Sequence, residues 1–222
     1  MIPRLPRLAA ILGLSTTLAG CSNDPYFDFP IDSFYNSLLK RGGEPSQVSQ
    51  QEIVETLSKS DLPVTFLGVA DRESQTLLIG IEQNGPYDTY ANANRQAITM
   101  RNGMITGTRG LSGDLMSTDE AALLSLVRAR RSGQATYIQR FLTPEDVTEV
   151  LTYRCGVEPD KPVDVAMGLV QGKATEVVAA CESADGPPFV DYYVVGGDGE
   201  ILASRQWLGE NLGYVAMHQL RR

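Results

Sequence analysis

Histidine occurs once and tryptophan once in this chain, and there are only three cysteines. With His218 as its sole imidazole, the sequence has little from which to build a Ser-His-Asp or Cys-His site, and it contains no G-x-S-x-G elbow. A zinc centre needs three or four ligands, which one histidine and distant cysteines do not supply. No Walker loop or dinucleotide fingerprint is present, and "GGDG" at 196–199 reads as a hairpin turn. No metal or cofactor is therefore expected. Positive charge is also scarce: 19 Lys and Arg stand against 27 Asp and Glu, a formal charge of −8. Nucleic acid is a poor partner for so acidic a chain.

Long apolar runs are missing as well. "LAAILGLSTTL", Leu8 to Leu18, spans about eleven residues, whereas a membrane-crossing helix needs about twenty. Its setting explains it. Arg4 and Arg7 precede it and the small residues Ala19 and Gly20 follow, the layout of a secretory signal over residues 1–20. The next residue is Cys21, and Leu18-Ala19-Gly20-Cys21 resembles the lipobox of bacterial lipoproteins, whose cysteine takes a diacylglycerol and a further acyl chain. One chain holds a protein to a bilayer only marginally, and two or more anchor it stably. Cys21 is therefore read as the lipid attachment point, and Ser22 after it, rather than Asp, points to the outer membrane. Loss of the signal takes the formal charge to −10, because Arg4 and Arg7 leave with it. Residues 21–33 read as a lipidated tether and 34–222 as one periplasmic domain.

The organisation of that domain follows from its turns and periodicity. "IDSFYNSLLKR", residues 31–41, looks like a brief helix. Ser49-Gln50-Gln51-Glu52 has capping-box spacing ahead of Ile53, Val54 and Leu57, which predicts a second helix over 49–59. From Pro63 on, short segments rich in β-branched and aromatic residues alternate with the turn pairs Asn84-Gly85, Asn102-Gly103, Asp185-Gly186 and Asp198-Gly199. Such pairs supply the positive φ of two-residue hairpins, and connections that short join only antiparallel strands. The expected fold is mainly β, an antiparallel hairpin-rich barrel or sandwich with a few short helices. One of these interrupts the strands: Ser117-Thr118-Asp119-Glu120 reads as another capping box, with Leu123, Leu126, Val127 and Arg130 on one stripe and Gly133 as the stop. The flanking halves, about 63–116 and 134–222, look related. Gly103, Ile105, Arg109 and Gly113 match Gly199, Ile201, Arg205 and Gly209 at a constant spacing of 96, which fits an internal duplication.

Candidate functional residues fall into four groups. Cys155 and Cys181 suit a disulfide in an oxidising compartment, the alternative being two buried free thiols; strands separated by a third would be too far apart to bridge. Arg128, Arg130, Arg131 and Arg140 form a positive patch suited to an anionic glycan or a partner protein, or else serve only helix-end electrostatics and solubility. Tyr90 and Trp207 are candidates for stacking on sugar rings, in a set of aromatics with Tyr87, Tyr192 and Tyr193 that serve equally as half-buried core. Trp207 would plug the end of the sheet. Asp185, Asp191, Asp198, Glu145 and Asp146 flank strands, where acids form turns or, in a pair, hydrolyse glycosides. His218 reads as a strand-surface residue.

The lipobox, "RNGMITGTRGLSGDL", "RFLTPEDVTEVLTYRC" and "FVDYYVVGGDGEILASRQWLG" together resemble the YjbF/GfcB family of lipoproteins, associated with exopolysaccharide and group 4 capsule loci. The resemblance runs from about Pro63 to Gly209. It implies an antiparallel, barrel-like β fold and an accessory, non-enzymatic role in polysaccharide assembly or export beside other envelope proteins. It brings no catalytic residue, and only Cys21 carries over. Two other roles fit the same residues: a periplasmic hydrolase working with two carboxylates, and a chaperone for an outer-membrane barrel.

Overall fold

The computed structural model describes residues 47–143 and 145–222. The expected signal, Cys21, the tether and the helix at 31–41 lie outside the described residues. Among the described residues a helix α1, Gln50–Lys59, comes first, and the Ser49 hydroxyl accepts from the Glu52 amide at 3.1 Å as the capping box predicts. Eleven strands and a second helix follow the first strand: β1 Val64–Val69, β2 Ser74–Asn84, β3 Tyr87–Ala91, β4 Ala97–Arg101, β5 Met104–Arg109, β6 Leu115–Asp119, α2 Ala121–Ala129, β7 Gly133–Leu142, β8 Thr148–Met167, β9 Val170–Glu182, β10 Phe189–Gly196, β11 Ile201–Trp207 and β12 Tyr214–Arg221. Every neighbouring pair is antiparallel, in the spatial order β5-β4-β3-β2-β1-β12-β11-β10-β9-β8-β7-β6. Sheet neighbours are thus chain neighbours except at one place, where β12 returns to lie between β1 and β11.

Both ends of that order come together. β5 and β6 share no hydrogen-bonded ladder, yet they lie side by side, so the sheet is a nearly closed barrel. Side chains bridge the seam. The Leu115 amide donates to the Thr108 hydroxyl at 2.9 Å, and Arg109 donates to the Leu115 carbonyl at 3.2 Å. Nearer α2, the buried Glu120 carboxylate accepts from Arg101 on β4 at 3.0 Å, from the Tyr87 hydroxyl on β3 at 3.3 Å and from Thr118 at 2.9 Å. The barrel is flattened enough for opposite walls to touch. The Ile105 amide on β5 donates to the Gln206 side chain on β11 at 3.1 Å, and the Ile201 amide donates to the Asn102 carbonyl at 3.1 Å.

Strand patterning explains which face is inside. Along the first part of β8, Leu151, Tyr153, Cys155 and Val157 are buried while Thr152, Arg154, Gly156 and Glu158 are exposed, the period of two that a half-buried strand requires. The register shifts between Pro159 and Pro162, where prolines offer no amide to the ladder. Beyond it the β8–β9 hairpin reaches β12: the Leu169 amide donates to the Leu220 carbonyl at 2.8 Å, and any Cβ at Gly168 would lie 2.7 Å from that oxygen. Cys155 and Cys181 face each other directly across β8 and β9 and form a buried disulfide. Adjacent strands therefore resolve the pairing in favour of the bridge.

Several sequence expectations need correction. Ser117–Asp119 belong to β6 rather than to a capping box; Glu120 precedes α2 without a side-chain cap, because its carboxylate is turned to Arg101 and Tyr87. Helix α2 ends at Arg130, which takes the left-handed position with φ 50°, and Gly133 opens β7. Leu123, Leu124 and Val127 are its buried side chains. Asn102 and Gly103, with φ 48° and 81°, form the expected two-residue turn. Asn84 instead closes β2, leaving Gly85 and Pro86 as the turn. Asp185-Gly186 and Asp198-Gly199 sit in longer loops, residues 183–188 and 197–200. In the matched segments Gly103 and Gly199 share a φ of 81°, and Gly113 and Gly209 also have positive φ.

Two stability tests follow. Arg101→Met strands the Glu120 carboxylate in the core and is expected to cost about 3 kcal/mol in denaturant unfolding, most of it recovered in Arg101→Met/Glu120→Leu. Cys155→Ala/Cys181→Ala removes a cross-link between residues 26 apart and is expected to lower stability by about 3 kcal/mol.

Candidate functional site

Four loops at one end of the barrel, β5–β6, β7–β8, β9–β10 and β11–β12, converge on a cleft of about 230 Å³. Its aromatic wall is Trp207, Phe141 and Tyr153; its acidic side chains are Glu149, Asp185 and Glu210, with no Lys, Arg or His among the described lining residues. Glycines shape it. A Cβ on Gly209, where φ is 92°, would lie 2.7 Å from the Phe141 ring, and a Cβ on Gly186 would lie 2.5 Å from the Tyr153 hydroxyl. Larger residues there would cover the aromatic groups. Arg72, from the turn between β1 and β2, holds the two flanking loops together by donating to the carbonyls of Leu111, of Ser112 at 2.6 Å and of Asn211 at 2.9 Å.

Trp207 is held rigidly. Its ring stands edge-on to Tyr214 with centroids 5.2 Å apart, and the Arg205 guanidinium lies 3.4 Å from the Tyr214 centroid. Its amide donates to Asp191 Oδ1 at 2.7 Å, and its carbonyl accepts from Gln139 Nε2 at 2.9 Å. Two donors of the lining have no hydrogen-bond partner among the described residues: the buried indole Nε1 of Trp207 and the hydroxyl of Tyr153, a residue only 1% exposed. A buried donor left unsatisfied costs about 1–3 kcal/mol. Burial, with the Glu210 and Glu149 charges, pushes the Tyr153 phenol up to about 12, so it stays protonated and donating at any physiological pH.

The sequence candidates scatter. Trp207 does sit at the end of its strand, in the cleft, and Asp185 joins it there. Tyr90 is buried in the barrel wall on β3, away from the cleft lining. Tyr193 is core and donates to Asp191 Oδ2 at 3.0 Å. Asp191 does not flank a strand but lies within β10, fully buried. Asp198 pairs with Arg222 at 2.6 Å and accepts from the Glu200 amide, both of which hold its carboxyl below the usual range. Glu145 and Asp146 are exposed in the β7–β8 loop. Arg128 donates to the carbonyl of Gly199 in the β10–β11 loop and Arg130 to that of Gly196 at the end of β10, Arg140 pairs with Asp119 at 2.7 Å, and Arg131 is exposed. His218 is a correction: it is buried in β12, beside Phe66, because β12 is central in the sheet and covered on both faces. Phe141, Tyr153, Glu149 and Glu210 went unread in the sequence; the alternation through β8 and the Gly209-Glu210 step were the available signals. Among the described residues no three His, Cys, Asp or Glu converge as a metal centre requires.

The profile of the YjbF family, described as group 4 capsule polysaccharide lipoprotein, matches residues 33–220. A search of curated proteins finds no match. Among solved structures, a crystal structure of the hypothetical lipoprotein YmcC from Escherichia coli (K12) has the same fold, with a TM-score of 0.65 at 13% identity over 80% of this chain and 98% of that one.

Two of the buried titrating groups, Asp191 and His218, oppose each other. Burial raises the Asp191 carboxyl to about 7, against the lowering effect of its Trp207 and Tyr193 hydrogen bonds. Its contribution is complete below the unfolded value near 4 and is lost as pH rises to 7. Burial lowers His218 to about 4, so its contribution is complete above about 6.5 and is lost as pH falls to 4. Each is worth on the order of 3 kcal/mol, and between pH 4.5 and 6.5 they cancel. Relative to the parent chain, Asp191→Asn is expected to lose stability on acidification through that window and His218→Gln to gain it, as read by denaturant midpoints.

Proposed function

Since the chain belongs to the YjbF family of group 4 capsule polysaccharide lipoproteins, we propose that it acts as a lipid-anchored, non-enzymatic accessory factor in exopolysaccharide or capsule assembly or export. In this reading acyl chains on Cys21 hold the domain on the periplasmic face of the outer membrane, where tethering raises its local concentration beside export proteins and nascent polymer. The observation that carries the reading is the family match over residues 33–220, joined to the lipobox at Cys21. The rigid barrel contributes a fixed platform, with its aromatic cleft at one end.

A second reading draws on one specific feature, the three carboxylates of that cleft. Two of Glu149, Asp185 and Glu210 acting as acid and base would make the protein a polysaccharide hydrolase. Incubation with the native polymer separates the two: the accessory role predicts no new reducing ends, and sustained release would overturn it. Cys21→Ala is expected to leave the barrel's melting temperature unchanged while moving the protein from the membrane to the soluble periplasmic fraction and reducing surface polymer severalfold. Full surface polymer in cells carrying the released form would count against the anchored role.

A further inference from the structure

Resting on that reading, we propose that the cleft at Trp207 is a sugar subsite that takes one ring of a neutral or amino-sugar polymer and discriminates against uronic and other acidic sugars. Three features of the cleft point the same way. Trp207, braced by Tyr214 and by the Asp191 and Gln139 contacts to its backbone, offers a flat apolar surface whose position is set before any ligand arrives. The indole Nε1 and the Tyr153 hydroxyl are donors without partners among the described residues, both shielded from solvent, so a ligand carrying hydroxyl oxygens would satisfy them once the groups covering them shift, and a purely apolar one would not. Among the described residues the charged lining is entirely carboxylate, Glu149, Asp185 and Glu210, with Arg72 behind the loops on their backbone carbonyls, so an anionic ring meets like charge first, whereas a protonated amine meets attraction. At about 230 Å³ the space lies below the roughly 300–1,000 Å³ that encloses a whole drug-sized ligand, and a chain seated by one ring would continue into solvent.

Trp207 is the only tryptophan, so its emission reports the subsite directly. The full lipidated chain, kept in a polyoxyethylene detergent that carries no sugar, is titrated with cellohexaose, β-1,4-galactohexaose, chitosan hexamer and hexagalacturonate. The proposal expects a saturable emission change with the chitosan hexamer and at least one neutral hexamer, and binding at least tenfold weaker with the uronate. Tyr153→Phe, which removes only the unpartnered hydroxyl, is expected to weaken binding roughly tenfold while the melting temperature holds or rises, since an unsatisfied buried donor goes with it. Glu149→Gln/Asp185→Asn changes two exposed side chains and is expected to narrow the gap between uronate and neutral oligomers. No saturable change with any neutral or amino oligomer, equal affinity for the uronate, or unchanged binding by Tyr153→Phe would overturn the subsite. So would saturation by hexalysine where no sugar binds. Surface polymer lost on deletion of the gene, with no sugar bound in vitro, would sink the subsite and leave the accessory role standing. Sugar binding without any effect of deletion would do the reverse.

Discussion

A β-sheet that curls back on itself must either complete its ladder or find another way to hold its last two strands. In this chain β5 and β6 meet without a ladder, and the join is made by side chains: Thr108 and Arg109 to Leu115 at one end, Glu120 with Arg101 and Tyr87 at the other. The buried Glu120 carboxylate is the costliest element of that join, because an acid taken out of water must recover its hydration from fixed partners. It has three. Everything inside the barrel, including the placement of α2 against the core, depends on this seam staying shut.

Much of the architecture could be read from the chain before any coordinates. Turn residues and period-two alternation carry antiparallel pairing almost by themselves, and the Ser49 cap marks the start of α1. What escaped was information held between distant residues. Ser117-Thr118-Asp119-Glu120 has the right local spacing for a cap, but β7 offers Ser117–Asp119 a ladder and Arg101 offers Glu120 a charge, and both outcompete a local bond. His218 reads as surface by composition and is buried because a central strand has both faces covered. The cleft was half legible: a lone tryptophan at a strand end stands out, whereas Tyr153 and Glu149 only join it when β8 is brought beside the β9–β10 loop.

The cleft illustrates how a rigid barrel prepares a surface. None of the contacts that fix Trp207 comes from its own strand: Asp191 reaches it from β10, Gln139 from β7 and Tyr214 from β12. Residue 207 is thereby tied to three strands, its backbone by Asp191 and Gln139 and its ring by Tyr214, and the entropy of fixing it is lost at folding rather than at any later encounter. Asp191 connects this arrangement to the core, since the same carboxyl accepts from Tyr193 inside the barrel.

The insertion of β12 between β1 and β11 has a kinetic corollary. A chain emerging amino-terminus first, from a ribosome or through a translocation channel, exposes β1 about 150 residues before the partner for its second edge exists. Until β12 arrives, Val64–Val69 present an apolar, unpaired edge of the kind that recruits foreign strands. Closure of this barrel therefore waits by topology for its last strand, and the interval before it is when a holding chaperone has most to protect.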